Sequence, residues 1–169
     1  MTESALAIGL INPKSPTNLG AIMRAAGCYQ VDEVVYTGTR YDRAAKYRTN
    51  TNLASSNIPL NHIEHILGTS PEDRAIVCVE YAEGAIPLPA FQHPSKAIYV
   101  FGPEDGTIPQ NIINKASSVV YIPTIGCMNL AATVNVVLYD RLAKSELENI
   151  GDDFVRQHRD TNNNIIVKD

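Results

Sequence analysis

The chain has 169 residues, of which 44% are hydrophobic and 19% are charged, a composition that excludes a disordered chain and suits one globular domain with a sizeable core. Its formal net charge is −4, so the field of the whole protein does not attract nucleic acid, and such binding needs a local basic patch. Three widely spaced cysteines without a Cys-x-x-Cys pair, and no apolar run long enough for a membrane span or a signal peptide, predict a reduced, cytoplasmic protein without a zinc site.

The first elements predicted along the chain alternate between strand and helix. Residues 5–11 are an apolar run typical of a buried strand, and residues 33–36 predict a second strand. Between them, Asn18 can cap a helix over residues 19–29, where apolar side chains recur at helical spacing. This alternation favours parallel βαβ units.

The middle of the chain is more polar. Residues 37–57 predict a long surface loop with a turn of helix near Ala44. Asn61 can cap a short helix over residues 62–67, and a third buried strand is predicted at residues 75–79.

The C-terminal half returns to regular alternation. Residues 97–101 predict a fully buried strand, which turns sharply at residues 102–106 and leads into a helix near residues 108–115. The two glycines of this turn permit backbone conformations, or a close approach of a ligand, that other residues forbid. Residues 119–123 predict the last strand, and residues 129–148 predict a long helix.

These elements predict one α/β domain with a parallel sheet over residues 1–148 and a loosely ordered tail over residues 149–169. Ligands of such sheets bind at the carboxyl ends of the strands. The sequence contains no dinucleotide-binding glycine fingerprint, no P-loop and no hydrolase nucleophile elbow. Glu104 and Asp105 place negative charge in the 102–106 turn, which disfavours phosphate there and favours a ligand with a cationic centre or hydroxyl groups.

Three strand-to-helix turns carry motifs in a recognisable order. NLGAIMRAA at residues 18–26 resembles motif 1 of the TrmH (SpoU) branch of the SPOUT RNA methyltransferases. FGPEDG at residues 101–106 resembles motif 2, and residues 122–140, from IP through MNLA to LYD, resemble motif 3. The resemblance covers roughly residues 5–145. It departs from the family at Cys127, where a serine is common, and we interpret this cysteine as a small packing residue because no partner base is visible nearby.

The resemblance implies a parallel-sheet SPOUT fold with a deep C-terminal trefoil knot that binds S-adenosyl-L-methionine. It implies a homodimer whose active site is completed across the subunit interface. The implied reaction is methyl transfer to a ribose 2′-hydroxyl of tRNA or rRNA. The alternative is a knotted RNA-binding domain without catalysis.

The resemblance also assigns roles to residues. Arg24 matches the family's catalytic arginine, and since arginine stays charged we expect it to clamp a phosphate and orient the hydroxyl. We expect Glu104 to position Arg24 or its own loop. The predicted catalytic residues are Arg24, Asn18, Glu104 and Asn129. The predicted cofactor-binding residues are Val79, Glu80, Phe101, Gly102, Gly106, Ile122, Pro123, Met128, Leu130 and Ala131.

Basic residues cluster in the long polar loop, interleaved with Tyr41 and Tyr47. Such a cluster is either an ordinary solvated loop or an RNA-backbone patch, and in an acidic protein we favour the patch. The predicted RNA-binding residues are Lys14, Arg40, Arg43, Lys46 and Arg48. His62 and His65 lie three apart on the predicted short helix, but no third ligand is nearby in sequence, so we expect no metal. The apolar stripe of the last helix is either core or a dimer face.

Overall fold

The computed structural model describes residues 6–46, 57–68 and 74–168. The described part of the chain contains one sheet of seven strands, all paired in parallel. In chain order these strands are β1 (Leu6–Leu10), β2 (Glu33–Tyr36), β3 (Leu60–His62), β4 (Ala75–Val79), β5 (Ile86–Pro87), β6 (Ala97–Phe101) and β7 (Ser118–Tyr121). Across the sheet they lie in the order β3-β2-β1-β6-β4-β7-β5. The predicted α/β class and parallel sheet are therefore confirmed.

Helices cover both faces of the sheet. They are α1 (Pro16–Cys28), α2 (Arg40–Ala45), α3 (Gln110–Ile113), α4 (Leu130–Ala143) and α5 (Asp152–His158), with 3-10 turns at Ile66–Gly68 and Leu88–Ala90. One apolar core joins α1 and α4 to the sheet, and a second core on the opposite face includes Ile66 and Ile108. The central strands β1 and β6 are buried at every position, as expected for parallel strands covered on both sides.

The register of the central strands aligns their carboxyl ends. Phe101 of β6 pairs with Leu10 of β1 and with Val79 of β4, and Val79 pairs in turn with Val120 of β7. The turns that follow these four strands therefore emerge side by side at one edge of the sheet.

Helix α1 begins earlier than the sequence pattern predicts. Ser15, rather than Asn18, is the N-cap, and its Oγ accepts a hydrogen bond of 3.2 Å from the Asn18 backbone N–H. Pro16 occupies the first helical turn, where a missing N–H does not weaken the helix. Asn18 therefore lies within the first turn, and its side chain is free to contact other elements.

The prediction of a helix at residues 62–67 is wrong. Leu60–His62 instead forms β3, which pairs in parallel with β2 from Val34 to Tyr36 at the edge of the sheet. Pairing with a strand far away in sequence thus outweighs the local capping signal of Asn61. His65 lies outside that strand, so the two histidines do not share a helix.

The C-terminal part also departs from the prediction in two places. Helix α4 starts where expected, with Asn129 as its N-cap, but it ends at Ala143 rather than at residue 148. Helix α5 lies in the segment for which loose order was expected, with Asp152 and Asp153 in its first turn and basic residues in its last. Those charges complement the helix dipole and stabilise a short exposed helix. None of the helices within the described ranges has the length and apolarity that crossing a bilayer requires.

Candidate active site

A cavity of about 280 Å³ opens at the carboxyl ends of β4, β6 and β7. The first turns of α1 and α4 contribute to its wall. The lining residues are Asn18, Val79, Glu80, Tyr81, Phe101, Gly102, Pro103, Glu104, Gly106, Tyr121, Ile122, Thr124, Cys127, Met128, Asn129, Leu130 and Thr133. This is the edge of the sheet at which the sequence predicts a ligand site.

The turn after β6 packs closely against the residues that follow it. A Cβ placed on Gly102 would lie 3.1 Å from the Ile108 nitrogen and 3.2 Å from the Thr107 carbonyl carbon. The Ile108 N–H donates a hydrogen bond of 2.9 Å to the Glu80 carboxylate, which fixes the turn to the end of β4. A side chain at position 102 would therefore push these backbone segments apart by a few tenths of an ångström.

The Glu104 carboxylate joins the turn after β6 to the start of α1. Its oxygens accept hydrogen bonds from the Lys14 N–H (3.0 Å), the Ser15 N–H (3.0 Å) and the Asn18 Nδ2 (3.2 Å). Burial raises the pKa of Glu104, but hydrogen bonds from backbone amides, its own and those of Lys14 and Ser15, and from Asn18 outweigh that effect and hold the pKa below its ordinary value. Glu104 is thus an ionised anchor for its loop, and its contacts run to Asn18 rather than to Arg24.

Asn18 in turn connects to the start of α4. Its Oδ1 accepts a hydrogen bond of 3.0 Å from the Asn129 Nδ2. The Asn129 Oδ1 caps α4 by accepting from the Ala131 N–H (2.9 Å) and the Ala132 N–H (3.2 Å). Because an ionised carboxylate only accepts hydrogen bonds, each amide in this series has one consistent orientation. We call Glu104, Asn18 and Asn129 the polar chain; it links the three motif turns.

Arg24 lies apart from the cavity. It is exposed on α1, six residues after Asn18 and so about 9 Å further along the helix axis, and it is not among the lining residues. The structure therefore brings together Asn18, Glu104 and Asn129 but does not bring Arg24 of the same chain to the cavity wall.

Most of the predicted cofactor-binding residues line the cavity. The two that do not are Pro123 and Ala131, each directly next to a lining residue in sequence. The main additions are Tyr81, Tyr121, Thr124 and Thr133. Tyr81 could have been found from its sequence position, because it follows a predicted buried strand at the same edge of the sheet.

The predicted RNA-binding residues occupy different environments. Both Asp105 oxygens accept from Arg40 Nη1 (3.0 and 2.9 Å), and Arg40 also donates to the Asn12 carbonyl at 2.6 Å. Lys14 Nζ lies 3.2 Å from Asp105, and hydrogen bonds from Arg40 and then Lys14 lower the pKa of that carboxyl. Arg40 thereby ties two loops together. Arg43 and Lys46 are exposed, and Arg48 lies outside the described residues.

The structure also places Cys127, the apolar stripe of α4 and the side chains that could bind a metal. Cys127 is exposed at the cavity wall, so the interpretation of this cysteine as a packing residue is wrong. In the apolar stripe of α4, Val134, Val137 and Leu138 are buried in the core, whereas Leu142 is 43% exposed. Within residues 6–46, 57–68 and 74–168, no group of three or more His, Cys, Asp or Glu side chains could hold a metal ion.

The chain forms an α/β domain with a cavity at the carboxyl ends of parallel strands, the place where ligands of such sheets bind. The model of the SpoU rRNA Methylase family matches residues 5–139, and the chain belongs to this family. The family resemblance read from the three motifs is therefore confirmed. A comparison with curated protein sequences finds no match.

Solved structures share the fold. The chain is similar to an rRNA methyltransferase from Sinorhizobium meliloti, with 19% identity and a TM-score of 0.65 over 83% of this chain and 56% of that one. It is similar to the SpoU methyltransferase AviRb from Streptomyces viridochromogenes in complex with the cofactor AdoMet, with 16% identity and a TM-score of 0.65 over 85% and 59% of the two chains. A third structure, on 2-OH methylation of C/U34 on tRNA, has 19% identity and a TM-score of 0.68 over 85% and 92%. The chain thus spans 56% and 59% of the first two relatives.

Proposed function

We propose that this chain transfers a methyl group from S-adenosyl-L-methionine to a ribose 2′-hydroxyl of tRNA or rRNA. The observation that carries this proposal is the polar chain, because it joins all three motif turns around one cavity. The relatives add support: one was solved with AdoMet, and another structure concerns 2-OH methylation of tRNA. The proposed reaction class, methyl transfer to RNA, is based on the membership of this chain in an rRNA methylase family.

The cavity residues fit an adenosyl cofactor. Phe101, Ile122 and Leu130 provide apolar wall for a purine and its ribose, and backbone carbonyls of the turn after β7 provide hydrogen-bond acceptors. Two carboxylates, Glu80 and Glu104, also line the cavity and suit a cationic ligand. When bound, the cofactor supplies an electrophilic methyl group on its sulfonium. We propose that the predicted cofactor-binding residues hold it, with Pro123 and Ala131 acting through their backbone.

The polar chain and Arg24 have different roles in this proposal. Glu104, Asn18 and Asn129 engage one another and backbone N–H groups, so their role is to position the three turns. Arg24 holds the phosphate next to the reactive ribose and orients the 2′-hydroxyl, whose proton passes to that phosphate or to water. A guanidinium that stays charged can do this without acting as a base.

We further propose a homodimer in which Arg24 of a second copy completes the site. The exposure of Arg24 away from the cavity of its own chain supports this arrangement. So do the exposed apolar side chains Val136, Tyr139 and Leu142 on α4. We also propose the deep trefoil knot. It is supported by the strand order, in which β7 enters the sheet between β4 and β5, two strands that precede it in the chain. The free, widely spaced cysteines of the described residues support a cytoplasmic location.

Labelled S-adenosyl-L-methionine tests this function directly. The protein is incubated with labelled cofactor and with bulk tRNA or rRNA from cells that lack it, and the labelled nucleoside is identified. Label on a ribose 2′-oxygen is the expected result, and label on a base would contradict it. Calorimetry with S-adenosylhomocysteine distinguishes the proposed enzyme from the alternative, an RNA-binding domain without catalysis. Such a domain would bind RNA and not this ligand.

A further inference from the structure

The Tyr81 hydroxyl lies at the centre of a group of oxygen atoms. Its oxygen is 2.8 Å from the Ile122 carbonyl, 2.9 Å from the Thr124 carbonyl and 3.3 Å from the Gly126 carbonyl. Thr124 Oγ1 lies 2.8 Å away as well. We call the three carbonyl oxygens the carbonyl cluster. Gly126 adopts a φ of 89°, which allows the turn to direct these carbonyls towards one point.

The carbonyl cluster has more acceptors than Tyr81 can serve. A phenol has one proton, so it donates to one of the three carbonyls at a time. Thr124 Oγ1 can give a second proton, to Gly126 O at 3.1 Å. The exocyclic amino group of a purine carries two N–H donors on one nitrogen, so it can serve two acceptors at once and satisfies the cluster better than one hydroxyl does.

The Tyr81 side chain is also placed so that it can move away from the carbonyl cluster. It is 49% exposed at the cavity, whereas the core residue Tyr99 is fully buried. Its backbone N–H donates to the Glu80 carboxylate at 3.0 Å, so the main chain stays anchored while the side chain rotates. The hydroxyl is held only by the turn at residues 122–126 among the hydrogen bonds described for it.

We propose that the Tyr81 hydroxyl is a built-in competitor for the carbonyl cluster, and that a ligand carrying an exocyclic amino donor displaces it. This rests on the proposed function, since the ligand class is the adenosyl group of the methyl donor. Tyr81 is thus a specificity-determining residue. A purine with a carbonyl oxygen at the same ring position would present a hydrogen-bond acceptor to the acceptors of the carbonyl cluster. Because it has no proton to donate there, it cannot replace the hydroxyl.

Calorimetric titrations of the full chain test this with two probes, S-adenosylhomocysteine and S-inosylhomocysteine. Tyr81→Phe removes only the competing hydroxyl, and S-adenosylhomocysteine is expected to bind this variant about fivefold more tightly than wild type. That factor corresponds to roughly 1 kcal/mol, the net contribution of one hydrogen bond. S-inosylhomocysteine is expected to bind wild type about tenfold more weakly than S-adenosylhomocysteine, without a gain in Tyr81→Phe.

The matched control is Tyr29→Phe, which makes the same change at the C-terminal end of α1, away from the cavity. It is expected to keep the wild-type affinity for both probes, and thermal melting checks that both variants fold. Unchanged or weaker binding of S-adenosylhomocysteine to Tyr81→Phe overturns the competitor role while leaving the proposed function intact. No binding of this probe to wild type refutes the proposed function and the competitor role together.

Discussion

Replacing Glu104 with glutamine perturbs the polar chain with the least change in shape. In the native protein the carboxylate accepts from two backbone N–H groups and from Asn18 Nδ2. Glutamine keeps one acceptor oxygen, and its NH₂ group then faces a donor that has lost its partner. A hydrogen bond to a charged acceptor contributes about 1.5–3 kcal/mol, and the half-buried position lowers this. We expect Glu104→Gln to lose roughly 1–2 kcal/mol of unfolding free energy, or roughly 2–8 °C in Tm.

The loss has a defined pH dependence. The pKa of Glu104 is lowered from an ordinary value of 4.5 in the folded protein, so its ionised form contributes stability above that pH. This contribution disappears as the pH falls through the folded-state pKa. Urea denaturation of wild type and Glu104→Gln at pH 7, and again at steps below pH 4.5, should therefore show a difference that shrinks on acidification.

The control for this experiment is Glu146→Gln, which makes the same substitution at an exposed position after α4. We expect its stability to match wild type at every pH. The interpretation of Glu104 as an ionised anchor would be refuted by equal stability of Glu104→Gln and wild type at pH 7. A destabilisation that stays constant with pH would also refute it, because that result would point to altered packing.

Three further predictions concern the cofactor and RNA. Arg24→Lys should lose most methyl transfer while S-adenosylhomocysteine still binds in calorimetry; near-wild-type turnover would contradict the clamp role. Gly102→Ala should weaken S-adenosylhomocysteine binding by about tenfold or more, because its Cβ would lie 3.1 Å from the Ile108 nitrogen and must displace the turn. An unchanged affinity would show that the turn does not contact the ligand. RNA affinity should fall steeply with salt, and a flat response would remove the basic residues from the RNA-binding surface.

The sequence alone predicts an element correctly where its local pattern and the tertiary structure favour the same conformation. The strands at residues 33–36, 75–79 and 97–101 match their predicted bounds, because central parallel strands are continuous apolar runs. Ligand sites form at the carboxyl ends of parallel strands. Asn18 follows β1 and Glu104 follows β6, so the sequence alone placed both residues at one site.

Other features depend on contacts that no local pattern contains. The strand at Leu60–His62 forms through pairing with β2, and the sequence around Asn61 carries a helix signal instead. Arg40 pairs with Asp105 across 65 residues, so its role in tying two loops together could not be predicted from a basic cluster. The sequence position of Tyr81 after a buried strand was a signal for the site, but the hydrogen bonds of its hydroxyl could not be predicted, because their partners lie about forty residues later in the turn after β7.

A crystal structure of the protein with S-adenosylhomocysteine tests the central claim most directly. We expect the ligand in the cavity between the turns after β6 and β7, in contact with Gly102, Ile122 and Leu130, with the polar chain unbroken beside it. Ligand density elsewhere on the molecule would contradict the account, and so would a bound form in which Asn18 and Asn129 no longer meet.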